Sequence, residues 1–165
     1  MKTLLLIFVC LETITLVIHN NVERTLPTTD LSDKTIIHSV EVDHTWKPAN
    51  TTEEFFELIS NPDAEIIRSV DDFLKRTQQE GTVYAKLNKR VIQKFTKELK
   101  FKNGGLSSAQ YDIIEKSLSK RDYEIFWEGF GLSLDFVQAD DHGGYACVGV
   151  GDCAVNQTHI CTSNC

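Results

Sequence analysis

Basic residues are missing from the whole C-terminal stretch of this chain. From Gly131 to Cys165 there is no Lys or Arg, while Asp135, Asp140, Asp141 and Asp152 all fall there. Over the full 165 residues, 24 acidic side chains outnumber 17 basic ones, for a net charge of −7. A chain this acidic lacks the Lys/Arg surface that nonspecific nucleic-acid binding requires. Proline is scarce at 3 residues and glycine modest at 9, which excludes collagen and proline-rich fibre. The catalytic signatures are absent too. There is no G-x-S-x-G, no H-E-x-x-H, no G-x-x-x-x-G-K-[ST] and no helix-opening G-x-G-x-x-G. Asp71-Asp72 and Glu53-Glu54 are adjacent pairs on expected helices, so their carboxylates diverge. The reading is non-enzymatic, without a cofactor or an evident small-molecule substrate.

A long hydrophobic run is also missing. Leu4 to Ile18 is apolar but is interrupted by Glu12, and a spanning helix needs about 20 apolar residues. Met1-Lys2-Thr3 followed by Leu4–Leu11 instead has the charged start and apolar core of an export signal, taken as residues 1–19. Residues 20–52 read as a linker. Leu26-Pro27-Thr28-Thr29-Asp30 is a turn signal, and 35–43 could form one short strand. His38 and His44 lie there without other ligand types beside them.

What the middle does have is helical periodicity. Thr51 and Glu54 form a capping box that opens a helix over 53–60. Asn61-Pro62 reads as the start of a second helix reaching about Gln79. A third is expected from Thr82 to Phe101, with Tyr84, Leu87, Val91, Phe95 and Leu99 on one stripe. Lys86, Lys89, Arg90, Lys94, Lys97 and Lys100 fill its other side, as a solvated face or one that greets an acidic partner or membrane surface. Asn103-Gly104-Gly105 reads as a left-handed helix cap. Ser107-Ser108-Ala109-Gln110 reads as a second capping box, opening a helix through Tyr111, Ile114 and Leu118. Ser119 starts the last helix, which carries Tyr123, Phe126, Trp127 and Phe130 as core and continues through Leu134 and Val137. The expected fold is therefore mainly α: a bundle of four to five helices over 53–138, followed by an irregular Cys-rich peptide over 139–165.

Four of the five cysteines lie in that peptide, with spacing C-x5-C-x7-C-x3-C at Cys147, Cys153, Cys161 and Cys165. A short glycine-rich stretch cannot bury its own core, so a cross-link must order it. After export, two disulfides would do so, with three pairings open. The competing reading is a zinc site from the same four cysteines, with His142 and His159 as substitute ligands. Only Cys161-x3-Cys165 has knuckle spacing. Asn50-Thr51-Thr52 and Asn156-Gln157-Thr158 match the N-glycosylation pattern.

The segment Leu106–Tyr111 with Ile113-Ile114, together with the tail from Gly144 to Cys165, resembles the fulvocin C-related bacteriocin proteins of bacteria. The resemblance covers about half the chain. It implies a helical pro-region and an active C-terminal peptide, with Cys147, Cys153, Cys161 and Cys165 as its disulfide cysteines. Gly143-Gly144 would then be a double-glycine processing site. In a thioether-bridged variant, Thr158, Thr162 and Ser163 could be dehydrated. Tyr145 to Cys165 carries one Asp and no Lys or Arg, so a receptor-directed or apolar mode fits better than electrostatic attack on an anionic membrane. The expectation is a secreted bacteriocin-like precursor whose partner is a target-cell receptor or membrane. The alternatives are a binding or structural protein with the tail as a clamp, and an extracytoplasmic zinc-binding protein.

Overall fold

The computed structural model describes residues 46–165. The expected signal segment, the strand over 35–43, His38, His44 and Cys10 lie outside them. Of the described residues, 40% are helical and 23% lie in strands. The helices are α1 (Thr52–Ser60), α2 (Val70–Thr77), α3 (Lys89–Glu98), α4 (Asp112–Glu115), α5 (Lys120–Glu128) and α6 (Leu134–Gln138), with one 3-10 turn at Tyr84–Lys86. The strands β1 (Lys100–Lys102), β2 (Gly105–Gln110), β3 (Gly143–Gly149) and β4 (Asp152–Cys161) form one sheet in the order β1-β2-β4-β3. All three pairings are antiparallel. This overturns the helical bundle. The molecule is a mixed α/β fold, and the supposedly irregular tail supplies half of its strands.

Several helix starts follow the sequence. Thr51 caps α1 by accepting from Glu54 N at 3.2 Å, and Ser119 caps α5 by accepting from Asp122 N at 3.2 Å. The other expected helices are shorter. The second does not start at Pro62 but at Val70, capped by Ser69. Asn61 instead makes a local turn, its Oδ1 accepting from Asp63 N. Ile66 and Ile67 reach the core in non-helical backbone, with Ile67 N donating to Gly129 O at 2.8 Å. Arg68 fixes this path by donating to the carbonyls of Ile59, Asn61, Ala64 and Gly104. The third expected helix breaks at Leu87, and Asn88 recaps α3 through Val91 N.

Asn103-Gly104 is not a helix cap. Both residues have positive φ, 50° and 75°, and they turn β1 back into β2. That is the geometry of a two-residue hairpin turn. Ser107-Ser108-Ala109-Gln110 is therefore strand rather than capping box, with Ser107, Ser108 and Ala109 buried. The last expected helix stops at Gly129. Gly131 (φ 84°) turns the chain so that Leu132 bridges Ala49, and Ser133 then caps α6.

The core lies between the helices and one face of the sheet. Phe55, Phe73, Phe95, Phe126, Trp127, Phe130 and Phe136 are its largest fully buried side chains. Phe73, Phe95, Phe126 and Phe130 touch one another, with ring centroids 5.1–6.3 Å apart. The aromatic cluster expected on the last helix is thus core. Burial of such rings is the main stabilising term, roughly 1.5–3 kcal/mol per large apolar side chain.

Candidate functional site

The four tail cysteines converge at one place, where β4 crosses from β3 to β2. Tyr145, Ala146, Cys147 and Gly149 of β3 pair with Val155, Ala154, Cys153 and Asp152 of β4, around the Val150-Gly151 turn. Further along, Gly143 pairs with Ile160, so β4 advances five residues while β3 advances two. The surplus residues form a wide bulge over 156–159. Asn156 shapes it, since its Oδ1 accepts from the Thr158 hydroxyl at 3.0 Å. From the last residue of the bulge onward, His159, Ile160 and Cys161 pair with Gln110, Ala109 and Ser108 of β2.

The bulge decides the disulfide pairing. Cys153 and Cys161 are eight residues apart on one strand, which would span about 26 Å if straight. Folded over the bulge, their Cα atoms are 6.1 Å apart and their sulfurs are bonded. The second bond joins Cys147 to Cys165 across 18 residues, with Cα atoms 5.7 Å apart. The two bonds stack. Cys161 Sγ lies 3.4 Å from Cys147 Sγ and 3.3 Å from Cys165 Sγ. The Sγ atoms of Cys147, Cys161 and Cys165 all fall within 4.8 Å of one another.

Residues 159–165 are built into the body. Ile160, Cys161 and Thr162 are fully buried, and Asn164 nearly so. Thr162 donates to Leu106 O, Ser107 donates to Asn164 O, and Asn164 donates to Lys102 O and Gly105 O. Lys100 Nζ reaches Cys147 O at 3.1 Å, and Lys102 Nζ donates to Cys165 O. β1 thus supplies the positive charge the tail lacks. At its far end the hairpin is open: Val148, Val150 and Val155 are 68%, 86% and 75% exposed.

The histidines do not join the cysteines. His142 is buried, with its ring stacked on Phe136 at 4.0 Å. Its Nδ1 lies 3.1 Å from Cys161 O, so Nδ1 carries the proton and donates to that carbonyl. Its Nε2 faces the Thr52 hydroxyl at 3.4 Å. His159 faces Glu98 and Thr158 instead. The exposed Asp141 carboxylate lies 3.7 Å from His142 Nε2.

Gly143 and Gly144 open β3. A Cβ on Gly143 would sit 2.9 Å from Val137 O, and Gly144 has φ 87°. Both positions therefore require glycine on backbone grounds alone. They line a cleft of about 420 Å³ with Tyr111, Glu115, Tyr123 and Asp140. Of the two sequons, Asn50 is exposed just before α1, and Asn156 is half-buried in the bulge. Among the described residues, no helix is long and apolar enough to cross a membrane.

The bulge and the lysine pair were the features that sequence reasoning missed. The Asn-x-Thr triplet at 156–158 was a legible sign of a local turn. No family model, curated protein or solved structure matches the chain.

Proposed function

We propose that the chain is an exported, non-enzymatic binding or structural protein in which the Cys-rich tail clamps the fold. The observation that carries this reading is the full burial of Ile160, Cys161 and Thr162 at the end of β4, where it pairs with β2. A peptide meant to leave its precursor has no need to complete that precursor's sheet. Two stacked disulfides hold the clamp, each contributing about 2–4 kcal/mol by restricting the unfolded chain. The hairpin end beyond the clamp, with Val148, Val150 and Val155, is free to contact a partner.

The second reading is the antibacterial precursor, with the hairpin as effector. One observation favours it: the exposed valines give the hairpin an apolar surface, with Asp152 its one acidic side chain, suited to a receptor-directed mode. It requires cleavage, and a cut after Gly144 would strip β4 from β2.

Intact mass of the exported product, with and without reduction and alkylation, separates the two. The clamp reading expects one species that retains residues 46–165 and takes up four alkyl groups in its tail only after reduction. A fragment of about twenty residues carrying all four would overturn it.

A further inference from the structure

We propose that the reduced tail is a tetrathiolate site for a thiophilic divalent cation such as Zn²⁺. The bulge in β4, which makes the disulfides possible, also gathers four sulfurs from distant sequence positions. A tetrahedral zinc with Zn–S near 2.3 Å sets its sulfurs about 3.8 Å apart. The contacts of Cys161 with Cys147 and Cys165, at 3.4 and 3.3 Å, are already close to that spacing. Three sulfurs, of Cys147, Cys161 and Cys165, already lie within 4.8 Å of one another. Cys153, whose sulfur is outside that trio but bonded to Cys161 Sγ, is the fourth ligand and reaches the ion by side-chain rotation once its disulfide is reduced. The fixed part of the site is rigid, because Cys161 is fully buried in β4 between β2 and β3.

The surroundings also fit. Four thiolates around one divalent ion leave a charge of −2. Lys100 and Lys102 hold their ammonium groups against the carbonyls of Cys147 and Cys165, where they offset it. The stretch from Gly131 to Cys165 has no Lys or Arg of its own. The histidines, which the sequence offered as substitute ligands, are engaged elsewhere.

The chemistry balances with a dithiol reductant. Each disulfide accepts two electrons and two protons, giving two thiols, while the reductant becomes its own disulfide. Binding of the cation then displaces the four thiol protons to solvent. Disulfides and metal are alternative closures of one clamp, selected by redox state. The assignment rests on the sulfur cluster alone and stands whether or not the hairpin has a binding partner.

The test uses the full chain carrying Cys10→Ser, so that only tail thiols remain. It is reduced with a phosphine, which does not itself present a thiol, and titrated with Co²⁺ as a spectroscopic probe. The expected result is one Co²⁺ per chain with the visible bands of tetrahedral thiolate coordination, displaced by Zn²⁺. The metal-loaded chain should also recover much of the thermal midpoint lost on reduction. Lys102→Gln should weaken binding on the order of 10-fold, and the oxidised chain should bind none. Absence of Co²⁺ uptake would overturn the proposal. So would uptake without any gain in thermal stability, the behaviour of thiols on an unfolded chain. The clamp reading itself is tested on the oxidised protein, so the two can fail separately.

Discussion

Ala109 of β2 and Ile160 of β4 are register partners, and both are fully buried. One belongs to the body and the other to the Cys-rich tail. Their contact makes the tail part of the core rather than an appendage. Ile160→Ala should therefore destabilise the oxidised protein by about 2–5 kcal/mol. Val150→Ala, at the exposed turn, should change stability by less than about 0.5 kcal/mol. Denaturant unfolding of both variants measures the contrast, and equal effects would detach the tail from the core.

The two disulfides should differ modestly. The Cys147–Cys165 bond closes 18 residues and the Cys153–Cys161 bond closes 8. Loop entropy gives about 3 and about 2.5 kcal/mol respectively. Paired Cys→Ser variants, compared by thermal unfolding, should each lower the midpoint, with loss of Cys147–Cys165 the larger effect. An unchanged midpoint for either pair would remove that bond from the clamp.

Gly129 is required by a close approach, not by its backbone angles. A Cβ there would fall 1.7 Å from the Tyr84 hydroxyl. That hydroxyl donates to Phe126 O at 2.9 Å, and burial pushes its pKa well above the ordinary tyrosine value, so it stays a donor. Gly129→Ala should expel the ring and cost about 1–3 kcal/mol. Pairing it with Tyr84→Phe should relieve part of the clash, giving a non-additive cycle in denaturant unfolding.

Asp122 gives a pH signature. Hydrogen bonds from Lys86 and Ser119 hold its carboxyl below the ordinary value of 3.8. A depressed folded pKa contributes stability that is present above the unfolded value and lost as pH falls through the folded one. The wild-type advantage over Asp122→Asn should thus be full near neutral pH and vanish in acid below 3.8. The pair is exposed, so the effect is small and weaker in salt. Stability curves of both proteins against pH check the direction.

The sequence made some parts of this fold legible and hid others for identifiable reasons. The hydroxyl caps at Thr51 and Ser119 and the aromatic core of α5 depend on neighbours within one helix turn, and they were read correctly. Asn103-Gly104 misled because left-handed backbone serves both a helix end and a hairpin turn, and β1 is too short and charged to announce a strand. Ser107-Ser108-Ala109-Gln110 matches a capping box, yet its true partners lie on other strands: Ser108 faces Lys100 on one side and Cys161, distant in sequence, on the other. Ser108 even leaves its hydroxyl without a hydrogen-bond partner among the described residues, a cost local propensity does not foresee. The four tail cysteines pair as disulfides, as a short glycine-rich tail without its own core requires. Their pairing was hidden because it depends on the three-dimensional bulge over 156–159, not on spacing.

The central claim is that the tail completes the sheet and thereby holds the fold. It is tested most directly by removing residues 144–165 and following the thermal unfolding of the remaining chain by far-UV circular dichroism. The account predicts loss of the cooperative transition, or a midpoint far below that of the intact oxidised protein. A helical body that still melts cooperatively at the intact protein's temperature would contradict it.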